Sequence, residues 1–408
     1  MADISVIASD STQSTSSAEI AAEPEDDTPM HSDETEATKD RARGKLTKTC
    51  NLTRLKLLAG LVPIVLYAVD VGSDVSLAVT YFLDGEWIYG GLTTAFCVFA
   101  YVTLVVMGVK FFNNYEEEQP RRRACRLFLV MLGLSPVVAS VEYLRCRWKD
   151  LTPRRSDKKL LLKADYALMI LRLLESFLEA APQLCLQLYI VFKEKLQEKD
   201  VRAVLQIVAV FSSWVSLAMS AAMYRKFDPD DSDEALTTIP WYNRLLWFLW
   251  RLCETGGRVL CIALFASTFE YWVFVLLCCH YGIVLICACW AMKDKELGKF
   301  KAVAWGYVLL FCVPLPDQDA RYVYSFYYVI FYAENFLMLG LWAGMTSDRD
   351  AWFYVPGIVT VMALFPLHFV MQLIYYKCSH PEAEENKCCK HCQWKDARKA
   401  MKTTFDNV

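Results

Sequence analysis

Apolar residues in this chain come in long runs close to the length of a membrane-crossing helix. They recur at 57–82, 88–112, 166–192, 201–224, 241–267, 270–292, 322–345 and 353–376. About 20 apolar residues are needed to cross the hydrocarbon core of a bilayer as a helix. Eight transmembrane helices are therefore predicted. Two further segments, 127–144 and 302–315, are too short or too interrupted to span. Each carries proline late in its apolar run, Pro136 in one and Pro314 and Pro316 in the other, and each predicts a partially inserted helix. The fold class is an all-α polytopic membrane protein. Its order of two spans, a partial segment and two spans occurs twice, which predicts pseudo-duplicated halves in parallel orientation, a known transporter plan.

The polar stretches between the runs set the topology, because Lys and Arg favour the cytosolic side. Residues 1–50 form an acidic tail, expected to be disordered, that ends in a basic cluster of Arg41, Arg43, Lys45 and Lys48. The turn after the first run holds Asp84 and Glu86 and is placed outside. Arg121, Arg122, Arg123 and Arg126 precede the segment 127–144, and Arg145, Arg147, Lys149, Arg154 and Arg155 follow it. Both its flanks are thus inside, so it is expected to re-enter or to lie along the interface rather than cross. Lys193, Lys195, Lys199 and Arg202 violate the rule, although Glu194, Glu198 and Asp200 lie among them. The domain plan is the tail 1–50, a membrane half 51–225, a cytosolic linker 226–240, a second membrane half 241–377 and a Cys-rich tail 378–408. Both termini are expected in the cytosol.

Composition narrows the chemistry. The chain has 408 residues, of which 55% are hydrophobic and 22% charged. Of its 16 cysteines, Cys97, Cys185, Cys261, Cys278, Cys279, Cys287, Cys289 and Cys312 lie inside apolar runs and read as small hydrophobes, not as a disulfide framework. Cys388, Cys389, His391 and Cys392 cluster in the last tail, but their spacing fits no standard zinc pattern; palmitoylation is the stronger reading there. No phosphate-binding glycine loop and no HExxH pair is present. No cofactor, no metal, no nucleic acid and no covalent catalysis are implied. Gly256 and Gly257 read as a close helix-packing point.

Charges inside the apolar runs are the distinctive feature. Asp70 and Asp74 share one face of the first span, and Glu175 and Glu179 share one face of the third, with Arg172 three residues before Glu175. Arg251, Glu254 and Arg258 form a stripe in the fifth, and Glu334 lies mid-span in the seventh. A charge at the bilayer centre costs at least about 2.5 kcal/mol. Six acids against three arginines leave three negative charges unmatched. The residues form either an ion-pair network stapling helices together or a polar track through the bilayer.

The stretch Leu171-Arg172-Leu173-Leu174-Glu175-Ser176-Phe177-Leu178-Glu179-Ala180-Ala181-Pro182-Gln183-Leu184 resembles a signature of the XK-related family. Asp70 with Asp74, the run from Arg258 to Phe265, Glu334-Asn335, and Tyr375-Tyr376 before His380-Pro381 match as well. The loop from Pro314 to Arg321 departs from the relatives' pattern. The resemblance implies eight spans with two partial helices. It also implies energy-independent scrambling of membrane phospholipids, phosphatidylserine included, in the plasma membrane of apoptotic cells, started by caspase cleavage of a terminal tail. Asp70, Asp74, Glu175 and Glu179 would then line the lipid path, supported by Arg172, Arg251, Glu254, Arg258 and Glu334. Asp10, within Ile7-Ala8-Ser9-Asp10-Ser11, is the best cleavage candidate, ahead of Asp27 and Asp33. Other candidate partners are an accessory membrane subunit and a lipid-transfer protein. The competing functions are a secondary transporter or channel for a small cationic solute, and a non-catalytic membrane adaptor for a lipid-transfer protein.

Overall fold

The computed structural model describes residues 61–113, 120–150, 158–194, 201–224, 241–291, 306–313 and 321–375. The proposed cleavage residues Asp10, Asp27 and Asp33, the cluster Cys388, Cys389, His391 and Cys392, and residues 314–320 of the divergent loop lie outside them. Eleven α-helices of twelve residues or more, and no strands, occur among the described residues: α1 Leu61–Leu83, α2 Trp87–Asn113, α3 Pro120–Met131, α4 Ser135–Asp150, α5 Lys158–Glu175, α6 Ala181–Glu194, α7 Val201–Met223, α8 Trp241–Phe269, α9 Trp272–Ala291, α10 Arg321–Met345 and α11 Tyr354–Ile374.

Six of these, α1, α2, α7, α8, α10 and α11, are long and apolar enough to cross a membrane. The chain is thus an all-α polytopic membrane protein. The other two expected runs are helical as well. The run 166–192 lies in one helical stretch, but a π-helical turn at Ser176–Ala180 divides it into α5 and α6. Pro182 accounts for that turn: it lacks an N–H and its ring crowds the carbonyl of Leu178, so the coil widens ahead of it. The Ala181 N–H accordingly bonds back to Ser176 O. The run 270–292 is α9, Trp272–Ala291, whose 20 residues match the length of a span.

Segment 127–144 forms a hairpin of α3 and α4. Its turn is held against the spans by Tyr67 Oη donating to Gly133 O at 2.8 Å and Tyr101 Oη to Met131 O at 2.6 Å, and Ser135 Oγ just beyond it donates to Leu104 O at 2.8 Å. Leu104 lies in the second half of α2, so the hairpin enters beside α1 and α2 and returns to the end it came from. Gly133 makes the turn possible, with φ +83°, and a Cβ there would sit 2.6 Å from the Tyr101 ring. The described part of the second partial segment, 306–313, is one helical turn followed by irregular buried backbone. Non-helical backbone at this depth must find protein partners. Leu309 O accepts from Tyr327 Oη at 2.8 Å, and Leu310 O accepts from Arg258 Nε at 2.9 Å.

Helix α8 is central and packs against α6, α7, α10 and α11. Its two glycines do what the sequence suggested. A Cβ on Gly256 would meet the Trp214 ring of α7 at 2.5 Å, and one on Gly257 would meet Phe365 of α11 at 2.6 Å. The outward faces are aliphatic and aromatic, for instance Val98, Phe99 and Val106 on α2 and Val355, Val359 and Met362 on α11. Buried polar groups lie inside.

The turns predicted outside meet at one end of the bundle. Arg202 pairs with Glu194 at 2.6 Å and Asp84 at 3.5 Å, and lies over the Tyr81 ring at 4.8 Å. Lys193 pairs with Glu270 at 2.8 Å, and the rings of Phe192 and Phe353 lie 5.0 Å apart. Of the four basic residues that broke the Lys/Arg rule, Lys193 and Arg202 are therefore matched by acids of neighbouring turns.

Candidate functional site

All nine intramembrane charges point inward. Asp70, Asp74, Arg172, Glu175, Glu179, Arg251, Glu254 and Arg258 are buried, and the Glu334 side chain is 10% exposed. They form two groups of opposite character.

The first group is acidic. Arg172 pairs with Glu175 at 2.8 Å and donates from Nη2 to Ser216 Oγ at 3.0 Å. Ser213 and Ser212 donate to Asp70 Oδ1 at 2.6 and 3.2 Å. The oxygens Asp70 Oδ2, Glu175 Oε1 and both of Asp74 have no hydrogen-bond partner among the described residues. One oxygen each of Asp74 and Glu179 and the Cys97 sulfur lie within 4.8 Å of one another, a geometry able to hold a cation. Gln183 closes the group from α6, its Nε2 donating to Thr93 O at 3.0 Å. The π turn matters here, because it sets the direction in which Glu179 projects. Above this layer Tyr81, Gln187 and Gln206 form a polar step, with Gln206 Nε2 donating to Tyr81 Oη at 2.9 Å, and Arg202 lies beyond it.

The second group is compensated. Arg251 pairs with Glu254, which also accepts from Tyr328 Oη at 3.2 Å and from the Val313 N–H at 3.4 Å. Arg258 pairs with Glu334 at 2.9 Å and donates to Asn335 Oδ1 at 3.2 Å. His280 of α9 joins it, with Nδ1 2.6 Å from Glu334 Oε2 and Nε2 3.3 Å from Leu309 O. Here two carboxylates meet two guanidiniums. The three unmatched acids counted from the sequence therefore all belong to the first group, where four carboxylates share Arg172 alone.

The sequence reading put Asp70 with Asp74 and Glu175 with Glu179 on shared helix faces but did not divide the nine charges into two groups, and it did not single out the polar partners. Ser212, Ser213, Ser216 and Ser220 follow helical spacing along one face of α7, a readable signal. His280 was equally visible as an ionisable residue within an apolar run. Cys97 had no such mark, because buried cysteine is ordinary packing.

The model of XK-related proteins matches residues 58–381, which covers every helix described above. The chain is also similar to "XK-related protein 8" of Tetraodon nigroviridis, at 26% identity over 345 residues, covering 77% of this chain and 81% of that protein. The matched region holds both charge groups and the hairpin, and the chain belongs to the XK-related family.

Proposed function

We propose that this protein is an energy-independent phospholipid scramblase of the plasma membrane, exposing phosphatidylserine during apoptosis after caspase cleavage of a terminal tail. The observation that carries this reading is the unmatched acidic group on α1, α5 and the π turn, with α7 serines beside it, buried within a bundle of membrane-crossing helices. Matched ions staple helices; unmatched carboxylates with unpartnered oxygens are costly and persist where a function needs them. Zwitterionic headgroups carry an ammonium or choline cation that these acids would receive, and Arg172 would receive the phosphate. Acyl tails would remain in the bilayer, so no external energy is required. The compensated group around Arg258 and Glu254 would form the frame that keeps α8, α10 and the irregular segment together.

A second reading, transport of a small cationic solute, is favoured by the close approach of Asp74, Glu179 and Cys97. Both readings are separated by one experiment. The purified full-length protein is placed in liposomes with fluorescent phospholipids of different headgroups, before and after caspase treatment. Scrambling that appears on cleavage and tolerates different headgroups supports the proposal. Saturable uptake of one solute without scrambling favours the transporter.

A further inference from the structure

Buried polar atoms without partners form a line from the acidic group toward the end of the bundle that carries Arg202. Gln206 Oε1, Gln187 Nε2, Gln183 Oε1 and Thr93 Oγ1 have no hydrogen-bond partner among the described residues, and both oxygens of Asp74 continue the series. Each of these residues is at most 1% exposed. Contacts and helix turns link them step by step. Arg202 lies over the Tyr81 ring, Tyr81 Oη donates to Gln187 Oε1 at 2.5 Å, and Gln206 Nε2 donates to Tyr81 Oη at 2.9 Å. Gln183 stands one turn of α6 before Gln187; its Nε2 donates to Thr93 O at 3.0 Å and approaches Cys97 Sγ at 3.6 Å. The Cys97 sulfur in turn lies within 4.8 Å of an oxygen of Asp74 and one of Glu179. Buried polar atoms in folded proteins are satisfied by protein or by ordered water. Where protein offers no partner, a water that bridges two or more such atoms supplies it.

The line is open at one end only. Asp84 and Glu194, which pair with Arg202, are exposed. At the far side of the acidic group, Leu104, Phe112, Leu168 and Leu171 are buried together, with Leu174 and Met223 packed against them. The chain runs from these leucines of α5 through Arg172 to Glu194, so the apolar cluster and Arg202 lie at opposite sides of the acids. We infer that water fills this line and makes it a half-channel, through which Asp74 and Glu179 exchange protons with the Arg202 end of the bundle and not with the other end. A carboxylate takes its proton from the nearest water of the file, and that water is reprotonated by the next one out; release runs in reverse. The charged and titratable groups facing the two acids are Asp70 of α1, Cys97 of α2, and Arg172 and Glu175 of α5. Arg172 is the one cation among them, so a proton supply from a single side sets the charge of the group. The inference goes beyond the scramblase reading and does not depend on it.

Hydroxyl-radical footprinting of the full-length protein in liposomes tests the half-channel. X-ray radiolysis makes the radical where water lies, and mass spectrometry identifies the oxidised side chains. Tyr81 should be oxidised several-fold more than Met338 and Phe112, equally buried and readily oxidised side chains in apolar surroundings. Cys97 should likewise exceed Cys278 and Cys279, which are more exposed but lie in the apolar run of α9. The double variant Gln187→Leu/Gln206→Leu, checked by unfolding temperature, removes the polar walls and should bring Cys97 down to the level of Cys278. Tyr81 and Cys97 at reference level in the unaltered protein overturn the inference, and so does oxidation of Cys97 unchanged in a folded double variant. Phe112 oxidised as strongly as Tyr81 overturns the closed end. The comparison within the unaltered protein decides the matter if the double variant does not fold. Oxidation of Tyr81 and Cys97 without scrambling leaves the half-channel standing and sinks the function proposed above; scrambling without that oxidation does the reverse.

Discussion

Neutralising one acid should have opposite consequences in the two charge groups. Asp74 is fully buried and neither of its oxygens accepts a hydrogen bond from a described residue. Asp74→Asn removes a charge that has no cation of its own and supplies an amide N–H₂ beside Glu179 and Cys97. Glu334→Gln, an equally conservative change, strips Arg258 of its only carboxylate among the described residues and leaves His280 Nδ1 facing an amide. Removing one partner of a buried ion pair costs about 3–5 kcal/mol. Leu310 O and Asn335 Oδ1 still hold Arg258, so the lower end of that range is expected. A buried, unmatched charge costs several kcal/mol to maintain. Asp74→Asn should therefore be neutral or stabilising. Thermal unfolding in detergent, followed by tryptophan fluorescence for both variants and the unaltered protein, reads the difference. The expected order places Asp74→Asn at or above the unaltered protein and Glu334→Gln several degrees below it. A fall in Asp74→Asn as large as that in Glu334→Gln would refute the division into an unmatched and a matched group.

Other outcomes follow from single contacts. Gly133→Ala places a Cβ at positive φ and against the Tyr101 ring; about 1–2 kcal/mol of backbone strain and 1–3 kcal/mol of overpacking are expected, seen as a lower unfolding temperature. Arg202→Gln loses two ion pairs and the contact with Tyr81; because the pairs are partly exposed, the cost should stay near 1–2 kcal/mol and shrink in high salt. Deleting residues 1–40 should raise basal scrambling if the acidic tail docks on the basic residues at 121–126 or 145–159; unchanged basal activity counts against docking.

Fold class and shared helix faces were legible because they depend on the length of apolar runs and on helical spacing, both of which are local. That segment 127–144 does not cross was legible too, since Arg121–Arg123 and Arg145–Arg147 flank it; whether it re-enters or lies along the interface was not. The π turn at Ser176–Ala180 was missed, although Pro182 marks it, because proline inside a span more often announces a kink. The partition of charges was legible only in part. Arg172–Glu175 and Arg251–Glu254 are pairs three residues apart on one helix and could be read from spacing, whereas Arg258 meeting Glu334 depends on which helices are neighbours, and nothing in spacing along one helix fixes that. The fit of Arg202 to Asp84 and Glu194 has the same origin, three residues on three elements brought to one end of the bundle.

The central claim is that Asp70 and Asp74 belong to the path a lipid headgroup follows. Its most direct test is fluorescent-lipid scrambling by caspase-treated full-length protein in liposomes, with Asp70→Asn/Asp74→Asn beside the unaltered chain and folding checked by unfolding temperature. Loss of scrambling in a variant that remains folded is the expected result. Scrambling at the unaltered rate would contradict the claim and make these acids structural.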